Sequence, residues 1–97
     1  MSDKKGYWMA IVDIADPEEY RAYIAANAEA LAKFGARFVV RAGRFENVEG
    51  TAGDRHVVVE FDSYETAIAC YHSPEYQHAL KYRLSASTSR FVIVEGA

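Results

Sequence analysis

Four charged side chains in the predicted strands could do chemistry, and they are Asp13, Arg41, His56 and Glu60. An arginine guanidinium can hold a carboxylate or an enolate through two parallel hydrogen bonds. A histidine near its ordinary pKa can accept and return a proton at neutral pH, and so can a suitably placed carboxyl group. This set predicts a site in which Arg41 orients an anionic group while His56 or Glu60 exchanges protons.

The same residues have ordinary structural explanations, and the sequence leaves both kinds of explanation open. Arg41 can form an ion pair with Glu60 or Asp13, and His56 lies at a strand start, where a solvent-facing histidine is common. His56 and Glu60 are four residues apart on one strand, a separation of roughly 13 Å, so they cannot share a metal ion. We therefore expect no metal site and no cofactor.

The composition excludes several classes of protein. A chain of 97 residues is long enough for one domain, which we place at residues 1–97. Fourteen acidic against 11 basic residues give a net charge of −3, whereas a nucleic-acid-binding protein would present a basic face. The single cysteine, Cys70, excludes a disulfide framework and is expected to be a small core residue of a helix. Residues 1–6 are polar and the following apolar run stops at Asp13, so we expect no signal peptide, no membrane span and a cytoplasmic location.

The elements that must position these residues follow from the pattern of apolar residues. Aromatic and β-branched runs predict strands at 7–14, 37–44, 55–62 and 91–95. Asp16 and Pro17 are typical of a helix start, and Gly35 is typical of a helix end. Ser63 begins a second helical region, with a break near Ser73. The order β-α-β-β-α-β predicts an α+β ferredoxin-like fold, with a four-stranded antiparallel sheet and the helices on one face.

The other face of this sheet, which we call the open face, carries the functional argument. Because side chains alternate along a strand, Val57, Val59 and Phe61 are expected under the helices. The open face is predicted to hold the four charged residues named above together with Tyr7, Met9, Ile11, Val39, Val58, Phe91 and Ile93. A face this apolar is unsuited to water, so we expect a second copy of the chain to cover it and form a homodimer. Arg41 and Asp13 are then candidate ligand-binding residues, with Tyr7 and Met9 as the apolar wall of a small-molecule pocket.

Four segments of the chain carry a resemblance to a known family: GYWMAIVDIADPEEYRAY (6–23), FGARFVVRAG (34–43), RHVVVEFDSYETAIACYHSPEYQ (55–77) and RLSASTSRFVIVEG (83–96). Together they resemble the domain of unknown function 1330 family, among the dimeric α/β-barrel proteins. The resemblance implies two ferredoxin-like sheets that face each other, and it implies no activity. Arg83 matches a family position and joins the candidate ligand-binding residues. Ala36, Ala42 and His72 depart from the residues usual at those positions.

Two function classes follow from these observations. The first is a homodimeric small-molecule-binding protein that acts as a cofactor-independent enzyme on a small polar or aromatic metabolite. Trp8 and Asn27 are similar to groups that cofactor-free monooxygenases of the same superfamily use, although the predicted position of Trp8 under the helices argues against that role. The second class is a non-catalytic assembly or binding module whose sheet face serves only association. The sequence supports no nucleic-acid or membrane partner for either class.

Overall fold

A computed structural model describes residues 4–97, so the first three residues of the polar segment 1–6 lie outside it. The elements in the described part are β1 (Gly6–Ile14), α1 (Pro17–Lys33), β2 (Arg37–Arg41), β3 (Arg55–Phe61), α2 (Tyr64–His72), α3 (Pro74–Ala86) and β4 (Ser87–Glu95). The strands pair in the order β2-β3-β1-β4, and every pair is antiparallel. The α+β ferredoxin-like prediction is confirmed, with a sheet that is open within one chain. None of the helices in residues 4–97 is long and apolar enough to cross a membrane.

The helix boundaries lie where the capping residues predicted them. The Asp16 carboxylate accepts a hydrogen bond from the Glu19 backbone N–H at 3.2 Å. The Ser73 hydroxyl accepts a hydrogen bond from the Tyr76 backbone N–H at 3.2 Å. Ser73 lies between α2 and α3 and separates the two helices. These side chains satisfy backbone donors that have no partner inside the helix. The predicted break in the second helical region is therefore a capped junction between two helices.

Trp8 lies at the centre of the core between the sheet and the helices. Its side chain is 3% exposed, and its indole N–H donates to the Ala67 carbonyl at 2.9 Å. Its ring centre lies 4.7–5.2 Å from those of three other aromatic side chains, Phe61, Tyr76 and Phe91. Tilted aromatic pairs at these distances add to the free energy gained by burying apolar surface. This cluster fixes α2 and α3 over β1 and β4.

A β-bulge in β2 changes the face on which Arg41 lies. Phe38 pairs with Val59, but Val40 pairs with Val58, so Val39 is an extra residue opposite no partner. One extra residue shifts the alternation of all residues that follow it. The prediction of Arg41 on the open face is therefore wrong. Arg41 lies on the helix face, with its guanidinium carbon 4.2 Å from the centre of the Phe38 ring.

The predicted orientation of the last strand is also wrong. Phe91 pairs with Ala10 and Ile93 pairs with Trp8, so both side chains pack into the helix-covered core. Val92 and Val94 take their place on the open face, where both are exposed. This strand is apolar on both faces, so alternation alone does not decide which residues point inward.

Gly6 is required where the start of α2 passes over β1. A Cβ atom at this position would lie 2.3 Å from the Ser63 carbonyl oxygen, which is backbone and cannot rotate away. We expect Gly6→Ala to lower the free energy of unfolding by about 1–3 kcal/mol, the usual cost of overpacking. Gly43→Ala is the matched control, because a Cβ there meets nothing within 4 Å. Urea unfolding of both variants checks this, and equal stabilities would contradict the close approach.

Candidate ligand-binding cleft

A cleft remains between α1 and the helix face of the sheet. The backbone of α1 packs along α3 and hardly approaches the strands. All five residues of β2 are exposed, so no helix covers that end of the sheet. The cavity inside the cleft has a volume of about 30 Å³. It is therefore a narrow slot that opens toward β2.

Apolar side chains form most of the cleft walls, and six polar side chains interrupt them. The apolar lining includes Trp8, Val12, Ile24, Leu31, Val57 and Phe91. The polar lining consists of Tyr20, Tyr23, Asn27, Arg41, Arg55 and Arg83. An apolar slot with a few convergent polar groups is typical of a site for a small molecule.

Arg83 is the most deeply placed of the charged residues in the cleft. It is 4% exposed, and its guanidinium lies over the rings of Phe91 at 4.9 Å and Tyr23 at 5.8 Å. One terminal nitrogen donates to the Ser89 hydroxyl, but the buried Nε has no hydrogen-bond partner. An unpaired buried donor costs about 1–3 kcal/mol, and a buried charge without a counterion costs more. The burial of Arg83 therefore lowers the stability of the folded protein.

Arg55 and Arg41 extend this positive group toward the open side of the cleft. The Arg55 guanidinium carbon lies 5.4 Å from the centre of the Tyr20 ring, and its Nε is also buried without a partner. Across residues 4–97, no carboxylate oxygen lies within 4.0 Å of the Arg41, Arg55 or Arg83 side-chain nitrogens. Since arginine stays protonated in proteins, the cleft carries up to three uncompensated positive charges.

The tyrosines and the asparagine of α1 add neutral hydrogen-bonding groups. The Tyr23 and Tyr76 hydroxyl oxygens are 2.7 Å apart and share a hydrogen bond. Burial raises the pKa of both Tyr20 and Tyr76, so their hydroxyl groups keep their protons at neutral pH. Asn27 is 9% exposed, and its amide group makes no hydrogen bond within the described range 4–97. A ligand in the cleft would give this amide a partner.

The structure places Tyr7 and Glu60 together on the open face, away from the cleft. The Tyr7 hydroxyl donates to the Glu60 carboxylate at 2.9 Å, and Arg37 donates to the same carboxylate at 3.0 Å. The Tyr7 and Arg37 hydrogen bonds hold the pKa of Glu60 below its usual range, while the bond to Glu60 raises the pKa of Tyr7. The partner of Glu60 is therefore Arg37, and the ion pair considered between Glu60 and Arg41 is not present.

His56 lies on the open face, opposite to Arg41. Its Nε2 contacts the Ala52 carbonyl oxygen, its Nδ1 is buried without a partner, and its ring packs 4.4 Å from that of Phe45. Met9 and Asp13 are exposed on the same open face. The structure therefore does not bring Arg41 together with His56, Glu60, Tyr7, Met9 or Asp13. Of the candidate residues, Arg41 and Arg83 share a site.

Sequence reasoning did not select Arg55, Tyr20 or Tyr23 as functional residues. A signal for Arg55 was available, because it alternates with Val57 and Val59 and must lie on the helix face with them. The signal for α1 was the presence of hydroxyl and amide groups in its buried stripe, at Tyr20, Tyr23 and Asn27. A buried stripe of that kind is more polar than packing alone needs.

A family model described as "Domain of unknown function (DUF1330)" matches residues 5–97 of the chain. The chain belongs to the DUF1330 family. No curated protein matches it.

Several solved structures have the same fold as this DUF1330 chain. A protein of unknown function from Rhodopseudomonas palustris is 20% identical, with a TM-score of 0.81 over 99% of this chain and 85% of that one. A dimeric ferredoxin-like protein from Thermobifida fusca is 18% identical, with a TM-score of 0.64 over 100% and 93%. SnoaB from Streptomyces nogalater, a cofactor-independent oxygenase, is 16% identical, with a TM-score of 0.62 over 96% and 92%. At these identities the likeness shows the fold.

Cys70 of this DUF1330 protein is buried in α2, and burial raises the pKa of its thiol to about 12. Only the thiolate reacts with disulfide reagents, so the folded protein should react slowly at mildly alkaline pH. We expect labelling of Cys70 by a chromogenic disulfide to be at least about 100-fold slower in buffer than in denaturant. Rapid labelling of the folded protein would contradict this burial.

Proposed function

We propose that this protein is a homodimeric small-molecule-binding protein whose ligand enters the cleft between α1 and the sheet. The observation that carries this proposal is the cleft itself, an apolar slot with buried polar groups that have no partner inside the protein. Buried polar groups are normally hydrogen-bonded, and groups left unpaired beside an open slot are available to a ligand. The open face serves a different purpose, which is association with a second copy.

The exposed apolar side chains of the open face support the proposed homodimer. Met9 is 45% exposed and Val92 is 54% exposed, and they pair directly on β1 and β4. Val40 and Val94 extend the exposed apolar surface on this face. Apolar surface of this kind marks an interface, and two-fold symmetry is the usual way to cover it. The Thermobifida fusca protein of the same fold is described as dimeric.

The residues of the cleft favour binding and charge stabilisation over acid–base chemistry. No histidine, aspartate or glutamate lines it within the part of the chain that the structure describes. Arginine, tyrosine and asparagine side chains can orient a substrate and stabilise a negative charge that develops on it. As an enzyme, the protein would act on a small polar or aromatic metabolite without a cofactor. SnoaB, which shares the fold, is a cofactor-independent oxygenase. A module without turnover remains the alternative, and the same binding site would serve it.

The candidate residues divide between the two faces under this proposal. Arg41 and Arg83 bind the ligand in the cleft, while Tyr7, Met9 and Asp13 lie at or near the homodimer interface. The single domain over residues 1–97 and the cytoplasmic location stay predictions.

Val92→Asp tests the association of the two copies. It places a charge in the middle of the exposed apolar surface, where burial against a partner would cost several kcal/mol. We expect light scattering to report a homodimer for the native chain and a species near the 10.9 kDa monomer mass for the variant. Leu84→Asp is the matched control, because Leu84 is 65% exposed on α3 in the helix layer. Equal masses for Val92→Asp and the native chain would contradict the proposed interface.

Trp8 provides a reporter of ligand binding, because it is the only tryptophan and it lines the cleft. We expect some members of a library of flat aromatic and polar molecules to shift its indole N–H signal in a nitrogen–proton NMR spectrum. Backbone signals of Asn27 and Val57 should move with it. Shifts confined to Met9 and Val92, or no shifts with any molecule, would contradict a ligand site in this cleft.

A further inference from the structure

The three arginines that line the cleft are its least expected feature. Arg83 is only 4% exposed, and its Nε faces no acceptor. Arg55 also has a buried Nε without an acceptor. The other arginine with strong contacts, Arg37, has two carboxylates as partners on the open face. Arg37 thus has counterions on the open face, whereas the half-buried Arg55 and the buried Arg83 have none in the cleft.

Stability alone does not account for this arrangement. Replacing a buried charge by an apolar side chain of similar volume is often neutral or stabilising. Arg83 has ring stacking and one hydroxyl acceptor, which partly offset its cost but leave its charge unbalanced. A group that costs stability and lies in a cleft is a candidate for ligand binding.

We propose that the ligand of this cleft is a flat molecule with a carboxylate, which the Arg41, Arg55 and Arg83 guanidinium groups neutralise. This inference rests on the proposed function, because it names the class of ligand for the same cleft. A guanidinium matches the planar geometry of a carboxylate through two parallel hydrogen bonds. Trp8 and Phe91 belong to the apolar lining of the cleft, which suits an aromatic or conjugated body.

The surroundings favour a carboxylate over a phosphate group. Phosphate sites in proteins commonly use backbone N–H groups of a glycine-rich loop or a helix N-terminus. No glycine is among the residues that line the cleft in the region that the structure covers.

Arg41 is the residue that can move to admit such a ligand. It is exposed, it lies at the open side of the cleft, and its guanidinium packs on the exposed Phe38 ring. Arg83 and Arg55 are held by packing against aromatic rings. Entry of a carboxylate would therefore involve Arg41 first and the two packed arginines afterwards.

The test uses the Trp8 indole signal of the full-length protein and matched pairs of ligands at one ionic strength. Benzoate and 2-naphthoate are titrated against benzamide and 2-naphthamide, which have the same shape and no charge. Phenyl phosphate is the third arm, and it separates a carboxylate site from a phosphate site. We expect the carboxylates to bind at least about tenfold more tightly than the amides, a difference of ~1.4 kcal/mol.

Two variants and a control make this result specific to the arginines. Arg83→Met replaces the guanidinium by a shorter, uncharged apolar side chain, and Arg41→Gln removes the charge of an exposed residue. Each should weaken carboxylate binding at least about tenfold. Arg21→Gln, exposed on α1, should leave binding unchanged. Thermal unfolding without ligand should show Arg83→Met at least as stable as the native chain, whereas a purely structural arginine would lower the midpoint.

Each result supports or overturns the inference. Selective binding of carboxylates that is lost in the two variants supports it. Equal binding of carboxylates and amides, or tighter binding of phenyl phosphate, would overturn the carboxylate assignment and leave the ligand cleft in place. If Arg83→Met fails to fold, the Arg41→Gln result decides. If no compound in any arm moves the Trp8 signal, the inference and the proposed cleft both fail.

Discussion

The position of α1 is the constraint on which the rest of this structure depends. The Trp8 cluster fixes α2 and α3 over β1 and β4, and α1 then packs along α3 instead of on the strands. The space between α1 and the sheet is bridged by long side chains, chiefly Tyr20, Tyr23 and Arg83. Long polar side chains fill such a space incompletely and bring unpaired groups with them. The cleft, its charge and its opening toward β2 all follow from this packing.

Under the proposed function, the two faces of the sheet have separate roles. On the open face Glu60 accepts from Tyr7 and Arg37, and the apolar side chains of Met9 and Val92 are exposed there beside the charged Asp13 and Arg90. On the helix face, Arg55 and Arg83 have no counterion. Exposed apolar side chains suit association, and a slot with unpaired charges suits a ligand. Under the proposed function, assembly and binding therefore use different residues and can be disrupted independently.

Much of this fold could be predicted from the sequence because its signals are local. Caps at Asp16 and Ser73 set the helix boundaries, and the element order sets the topology. The site was harder to predict because it depends on one residue of register. The side chains around Val39 can alternate between the two faces of the sheet equally well with or without a bulge. Only the pairing of β2 with β3 shows that Arg41 lies on the helix face. Arg83 was selected through the family resemblance, and its burial depends on how α3 packs.

A crystal structure of the protein grown with 2-naphthoate tests most directly where the ligand binds. The account predicts two copies joined through their open faces, with the naphthyl ring beside Trp8 and the carboxylate against Arg83 and Arg55. Ligand density between the two open faces, near Met9 and His56, would contradict it. So would a helix-side cleft that is closed and dry, with carboxylates of the protein itself paired to these arginines.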